Sequence, residues 1–276
     1  MHKKGPFKLK KLKKFSVISN FYDAFIIDLW GVMHNGIRLN PGAIEVVENL
    51  SKNRKRVIFL SNAPRPNKSV IKFLKKLNMD EKYFNNVLTS GEIARYSLKT
   101  QKFGINFFHL GPERDSSIFI EWAKNKTSIE KCDFILCTGL FDEQEENLSF
   151  YKQLLKNHIT KKLICTNPDL IVHRGNKTEL CAGSIAEIFS SLGGKVIYFG
   201  KPYPEVYNNC LKKNEKTLVI GDNLNTDIKG ANNLNLDSLF ITNGVHRSEF
   251  TEEHELEKLL KKYNVTSNYF QSELFW

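Results

Sequence analysis

No apolar run in this chain is long enough to cross a bilayer; the longest, such as VIFL at 57–60 and LVI at 218–220, are a fraction of a membrane span. No apolar segment follows the basic start, so no secretory leader is expected and the reading is a cytoplasmic protein. Cysteine is scarce and unpatterned: Cys132, Cys137, Cys165, Cys181 and Cys210 make an odd set without a CxxC pair. That argues against a disulfide framework and a zinc knuckle, and leaves reduced, buried thiols. Fixed-period repeats and low-complexity segments beyond the tail are also lacking, which excludes solenoids and collagen-like chains.

Acid is missing from one stretch in particular. Residues 1–15, MHKKGPFKLKKLKKF, hold seven lysines and no Asp or Glu, and without them the net charge of +11 falls to +4. The excess that suggests a polyanion partner therefore sits in a tail, expected to be solvated and frayed, and no specific nucleic-acid binding is expected of the rest. At 276 residues and 41% hydrophobic content, what remains can bury a sizeable core.

The most informative stretch is AFIIDLWGVMHNG, residues 24–36. Its apolar, β-branched start reads as a strand buried on both faces, and it stops on Asp28. Strands of the same kind are expected at 56–63, 87–90, 105–111, 133–139, 162–169, 196–200, 217–227 and 237–244. Helical patterns fall between them at 41–53, 67–78, 91–99, 115–125, 144–157, 183–194, 204–213 and 251–262. Alternation of this sort predicts an α/β fold with a parallel sheet.

Four strands then end on chemistry: Asp28, Ser61 with Asn62, Lys201 just past its strand, and Asp222 with Asp227 in GDNLNTD. Ligands of open parallel sheets bind at the carboxyl ends of strands, so all four are expected at one edge. Two carboxylates and a backbone carbonyl suit Mg²⁺, while a hydroxyl, backbone amides and a lysine suit phosphate oxygens. Such a site transfers a phosphoryl group.

In order, context and spacing, IIDLWGV, FLSNA, GKP and GDNLNTD resemble the four motifs of the haloacid dehalogenase-like hydrolases. Thirty-three residues separate Asp28 from Ser61 and 140 separate Ser61 from Lys201, so any inserted domain lies between the second and third motifs. With SNAPRP, CTNPDLIVHRG and GKPYPEVY, this resembles class IIA, the nitrophenylphosphatase and pyridoxal-phosphatase type. The resemblance implies a Rossmann-like core over 16–99 and 184–276 and an α/β cap over 100–183. It also implies Asp28 as nucleophile, with Ser61, Asn62 and Lys201 on the phosphoryl group. Mg²⁺ is implied on Asp28, the Trp30 carbonyl and Asp222, with Asp227 as a candidate further ligand. A small phosphorylated metabolite is the implied partner, and a homodimer joined through the caps is consistent with it.

One position departs from the family. Where its phosphatases carry a second aspartate, two residues past the nucleophile, this chain has Trp30. The carbonyl survives, but a general acid worth about 10²–10⁴ in rate does not. His34 is the nearest titratable candidate to supply the proton; Trp30 could donate its indole N–H, and Arg65 and His173-Arg174 could meet an anionic substrate. Hydrolysis of a non-ester substrate, and a regulatory protein that binds metal and phosphate without turnover, stay open at this point.

Overall fold

The computed structural model describes residues 9–276. Its strands, in chain order, are β1 (Lys10–Lys11), β2 (Ala24–Ile27), β3 (Arg56–Ser61), β4 (Val87–Thr89), β5 (Phe107–Leu110), β6 (Phe134–Cys137) and β7 (Lys162–Cys165). There follow β8 (Ile171–Arg174), β9 (Lys177–Leu180), β10 (Lys195–Tyr198), β11 (Thr217–Gly221), β12 (Asp237–Ile241) and β13 (Tyr269–Gln271). The chain divides into two compact units. One comprises residues up to 60, 173–176 and 207–276, and the other 61–172 and 177–206.

The first unit is built on a parallel sheet in the order β1-β13-β12-β11-β2-β3. Its central strands, β2 and β11, are buried at every residue, which is why their sequences are unbroken apolar runs. Ile27 pairs with Ile220 in register, so the residues following both strands emerge together at the carboxyl edge. Helix Pro41–Lys52 buries Ala43, Val46, Val47 and Leu50; it starts at Asn40, whose side chain accepts from the Gly42 N–H at 3.1 Å.

The second unit carries a four-stranded parallel sheet, β10-β7-β6-β5. Alternate residues feed two cores. Ile135, Cys137, Leu163 and Cys165 pack with Tyr151, Ile185 and Phe189, whereas Phe134, Leu136 and Ile164 pack with Ala94, Ile118 and Phe119. The inserted segment expected over 100–183 is continued here by helix Ala182–Ser191 and strand β10. The helix expected at 115–125 is instead two tight turns, Glu113–Ile118 and Ile120–Asn125, interrupted at Phe119 and Trp122, whose aromatic side chains pack under the sheet in place of continuing a helix. The helix expected to reach 213 ends at Asn208. No helix among the described residues is long and apolar enough to cross a membrane.

The tail is a correction. Residues 1–8 lie outside the described residues, but β1 adds to the sheet edge beside β13, and Leu12 and Phe15 are buried. Phe15 meets Phe25 edge-on at 5.5 Å, and its N–H donates to the Phe275 carbonyl at 3.1 Å. Residues 10–15 are thus built in, because two apolar side chains among the lysines outweigh the tail's charge. Phe15→Ala is expected to cost about 3–5 kcal/mol, and deleting residues 1–15 at least as much. Unchanged urea midpoints in both variants would contradict the packing.

Candidate active site

In the first unit the edge where β2 and β11 end gathers three acids. Asp28, Asp222 and Asp227 are buried, and each offers a carboxylate oxygen within 4.8 Å of the others'. The Asp28 N–H donates to the Ile220 carbonyl at 2.9 Å, which ties the end of β2 to β11. Space for Asp222 exists only because its neighbours are glycines: a Cβ on Gly31 would lie 2.1 Å from Oδ2, and one on Gly244 would lie 2.2 Å from its Cβ. Gly31 also has φ +88°, which disfavours any other residue.

Backbone donors orient the acids. The Val245 N–H donates to Asp222 Oδ2 at 2.9 Å, and the Asn223 N–H donates to Asp227 Oδ2 at 3.2 Å. Asp227 rides on a wide π-type turn, Leu224–Ile228, of the kind that clusters at functional sites. Three hard oxygen donors in a buried cluster fit Mg²⁺.

Trp30 follows on the same loop. Its indole Nε1–H donates to the His173 carbonyl at 2.9 Å, and its ring lies 5.1 Å from that of His34 and 4.8 Å below the Arg174 guanidinium. Residues 173–176, the tip of the β8–β9 hairpin, belong to this unit. His34 is buried, and its Nδ1 accepts from the Gly36 N–H at 3.1 Å. Burial and then the Arg174 charge push its pKa down to about 4. At neutral pH the imidazole is therefore neutral.

The second unit assembles the other candidates. Ser61 is buried and its Oγ accepts from the Ala63 N–H at 3.2 Å. Asn62 uses both ends of its amide on the Lys201 backbone: Oδ1 accepts from N–H at 2.7 Å and Nδ2 donates to the carbonyl at 3.2 Å. The same Nδ2 lies 3.2 Å from Asp169 Oδ1. Asn62 thus holds Lys201, itself buried, in place through its main chain. Arg65 pairs with Asp115, Nε to Oδ1 at 3.4 Å, a close ion pair that lacks hydrogen-bond geometry.

Two family models match the chain, described as haloacid dehalogenase-like hydrolase over residues 25–122 and HAD-hydrolase-like over 198–266, and the three acids, Ser61 and Lys201 all lie inside them. The chain belongs to the haloacid dehalogenase-like hydrolases. It is 25% identical over 243 residues to an acid sugar phosphatase of Staphylococcus haemolyticus, covering 85% of this chain and 90% of that one. Among solved structures, a haloacid dehalogenase-like hydrolase from Brucella suis has 28% identity and a TM-score of 0.83, covering 95% and 99% of the two chains. A 4-nitrophenylphosphatase from Thermotoga maritima has 26% identity and a TM-score of 0.69, covering 93% and 96%. These neighbours are of the class IIA type that the motifs resemble.

The hydrolase also uses residues that its sequence did not flag. His246 is buried; its Nε2 accepts from the Leu224 N–H at 3.0 Å and its Nδ1–H faces Glu249 Oε1 at 2.6 Å. Glu249 in turn takes Lys262 at 2.6 Å and the Tyr263 hydroxyl at 2.7 Å. This chain braces the start of the turn that carries Asp227. The only sequence signal is a His and a Glu three residues apart in HRSEF, which reads as surface loop.

Burial pushes the Asp115 carboxyl up to about 6, against the pull of Arg65 and Arg114. Its unfolded value is about 3.9, so between those limits the native state binds the extra proton and stability falls as pH rises. Asp115→Asn is expected to remove about 1–2 kcal/mol of that slope between pH 4 and 6. Urea midpoints across this range check it, and an undiminished slope in the variant would contradict the assignment.

Proposed function

We propose that this hydrolase is a Mg²⁺-dependent phosphatase of small phosphorylated metabolites, working through an aspartyl-phosphate on Asp28. The observation that carries the reading is the buried cluster of Asp28, Asp222 and Asp227 at the ends of two adjacent parallel strands. Its relatives named as acid sugar phosphatase and 4-nitrophenylphosphatase support phosphate esters over carbon–halogen or other non-ester bonds. So does the acidic cluster itself, for which attack on a neutral carbon has no use.

Asp28, Asp222 and the Trp30 carbonyl would hold Mg²⁺, with Asp227 orienting the loop; the ion supplies positive charge to the phosphoryl oxygens when bound. An Asp28 oxygen attacks phosphorus, the bond to the leaving oxygen breaks, and the leaving group departs with the electron pair. The resemblance to the family's motifs assigns Ser61 and Lys201 to the phosphoryl oxygens, and Asn62 holds the Lys201 main chain. Water then attacks the same phosphorus, which releases phosphate and restores the carboxylate. The leaving oxygen takes its proton from solvent, because Trp30 carries no acidic proton and His34 is neutral with Nδ1 already accepting.

That last feature sets the substrate preference. Esters with weakly basic leaving groups, such as nitrophenyl phosphate, should turn over far faster than alkyl phosphates, and Trp30→Asp should raise kcat on alkyl phosphates by less than the full 10²–10⁴ of a tuned acid. Steady-state kinetics on a leaving-group series checks both points. Equal rates across the series, or no gain on alkyl phosphates in the variant, would contradict the proposal. Asp28→Asn should abolish hydrolysis of every member with the fold intact by circular dichroism, and retained activity would overturn the nucleophile.

A further inference from the structure

A short helix, Ser16–Ser19, carries the chain from β1 to β2. Helical backbone extends past its ends, since Phe15 and Asn20 both lie in the right-handed region and the Phe21 N–H donates to the Ile18 carbonyl at 2.9 Å. Phe15, Ile18 and Tyr22, spaced by three and four residues, are buried, and the rings of Phe15 and Tyr22 meet Phe25 of β2 edge-on at 5.5 and 6.1 Å. The inward stripe is apolar, as packing on a sheet requires.

The outward stripe is apolar too, where contact with water selects polar residues. Val17 and Phe21, four residues apart and therefore on one side of the turn, are each 59% exposed. Phe275, also exposed, and the half-buried Trp276 reach the same segment at Phe15, through the bond to its N–H and a ring contact at 6.2 Å. One exposed apolar side chain is ordinary on a protein surface, whereas a group of them on two joined segments marks an interaction site.

Positive charge frames the group. Lys10, Lys13 and Lys14 are exposed on the segment leading into the helix, while Lys11 is spent on an ion pair with Glu253. Past Phe21, Lys55 Nζ donates to the Tyr22 carbonyl at 2.7 Å and Lys216 Nζ lies 4.8 Å from the centre of the Tyr22 ring. The acids there are engaged: Asp23 accepts from the Lys216 N–H at 3.0 Å, and Asp237 takes the Tyr22 hydroxyl at 2.9 Å. Aliphatic and aromatic side chains bordered by lysines match the boundary layer of a bilayer, where apolar groups enter among the headgroups and lysines meet anionic lipid. A nucleic acid would use the same lysines but has no use for an exposed valine, which offers no stacking surface.

We propose that this face of the first unit docks the protein on an anionic lipid bilayer, with Val17 and Phe21 inserted at the interface and Lys13 and Lys14 on the headgroups. The surface is separate from the acidic cluster, and the inference is independent of the reaction proposed above.

Co-sedimentation of the full chain with vesicles tests it, using phosphatidylcholine alone or mixed in equal parts with phosphatidylglycerol. Binding is expected to the mixed vesicles and not to phosphatidylcholine alone, and it should weaken as salt rises. Lys13→Gln with Lys14→Gln should lower partitioning about 25-fold, roughly fivefold for each lysine. Val17→Ser with Phe21→Ser should lower it about 10-fold with an unchanged urea midpoint, because both side chains are exposed. Val17→Leu with Phe21→Trp should keep it. No binding to the mixed vesicles, or equal binding to both kinds, overturns the proposal. Binding that falls in the lysine variant but is untouched in the serine variant also overturns it, and polyuridylate binding with that same pattern would identify the face as a polyanion surface instead.

Discussion

Three carboxylates brought within 4.8 Å of one another, all buried, repel unless a cation or a proton stands between them. Much of the first unit is arranged to sustain that unfavourable approach. Parallel pairing of β2 with β11 delivers Asp28 and Asp222 to the same edge, and Gly31 and Gly244 clear the volume that Asp222 occupies. The N–H groups of Val245 and Asn223 point at carboxylate oxygens and offset part of the repulsion. A divalent ion would complete the neutralisation, and the cluster offers it three buried carboxylates.

The surroundings follow from holding that cluster still. His246 spans from the turn carrying Asp227 to Glu249, and Glu249 is held in turn by Lys262 and Tyr263 on helix Leu256–Lys262 and its cap. In the second unit Asn62 does comparable work for Lys201, gripping its main chain through both N–H and carbonyl. In both units a polar side chain near a motif holds main chain at or next to a candidate site residue.

What could be read from the sequence, and what could not, divides along physical lines. AFII and TLVIG were legible as strands because burial on both faces leaves no alternative to an apolar run, and the acids were legible because they interrupt such runs. The β8–β9 hairpin was not, since IVHR and KTEL are only partly buried and show no periodic apolar signal. Without the hairpin, Trp30 looked like a lost acid or a donor to substrate, and its contact with Arg174 was invisible. The burial of His34, which lowers its pKa, was hidden for a related reason: it depends on contacts that sequence spacing does not show. The lysines of the tail hid Leu12 and Phe15, whose burial ties residues 10–15 to the first unit.

The account turns on Asp28 as the atom donor to phosphorus. Rapid acid quench of the enzyme with Mg²⁺ and nitrophenyl phosphate, followed by peptide mass spectrometry, reads this directly. A phosphoryl group on the peptide containing Asp28, absent without Mg²⁺ and absent in Asp28→Asn, is the predicted result. Phosphate release with no labelled peptide, or with the label on another residue, would contradict it.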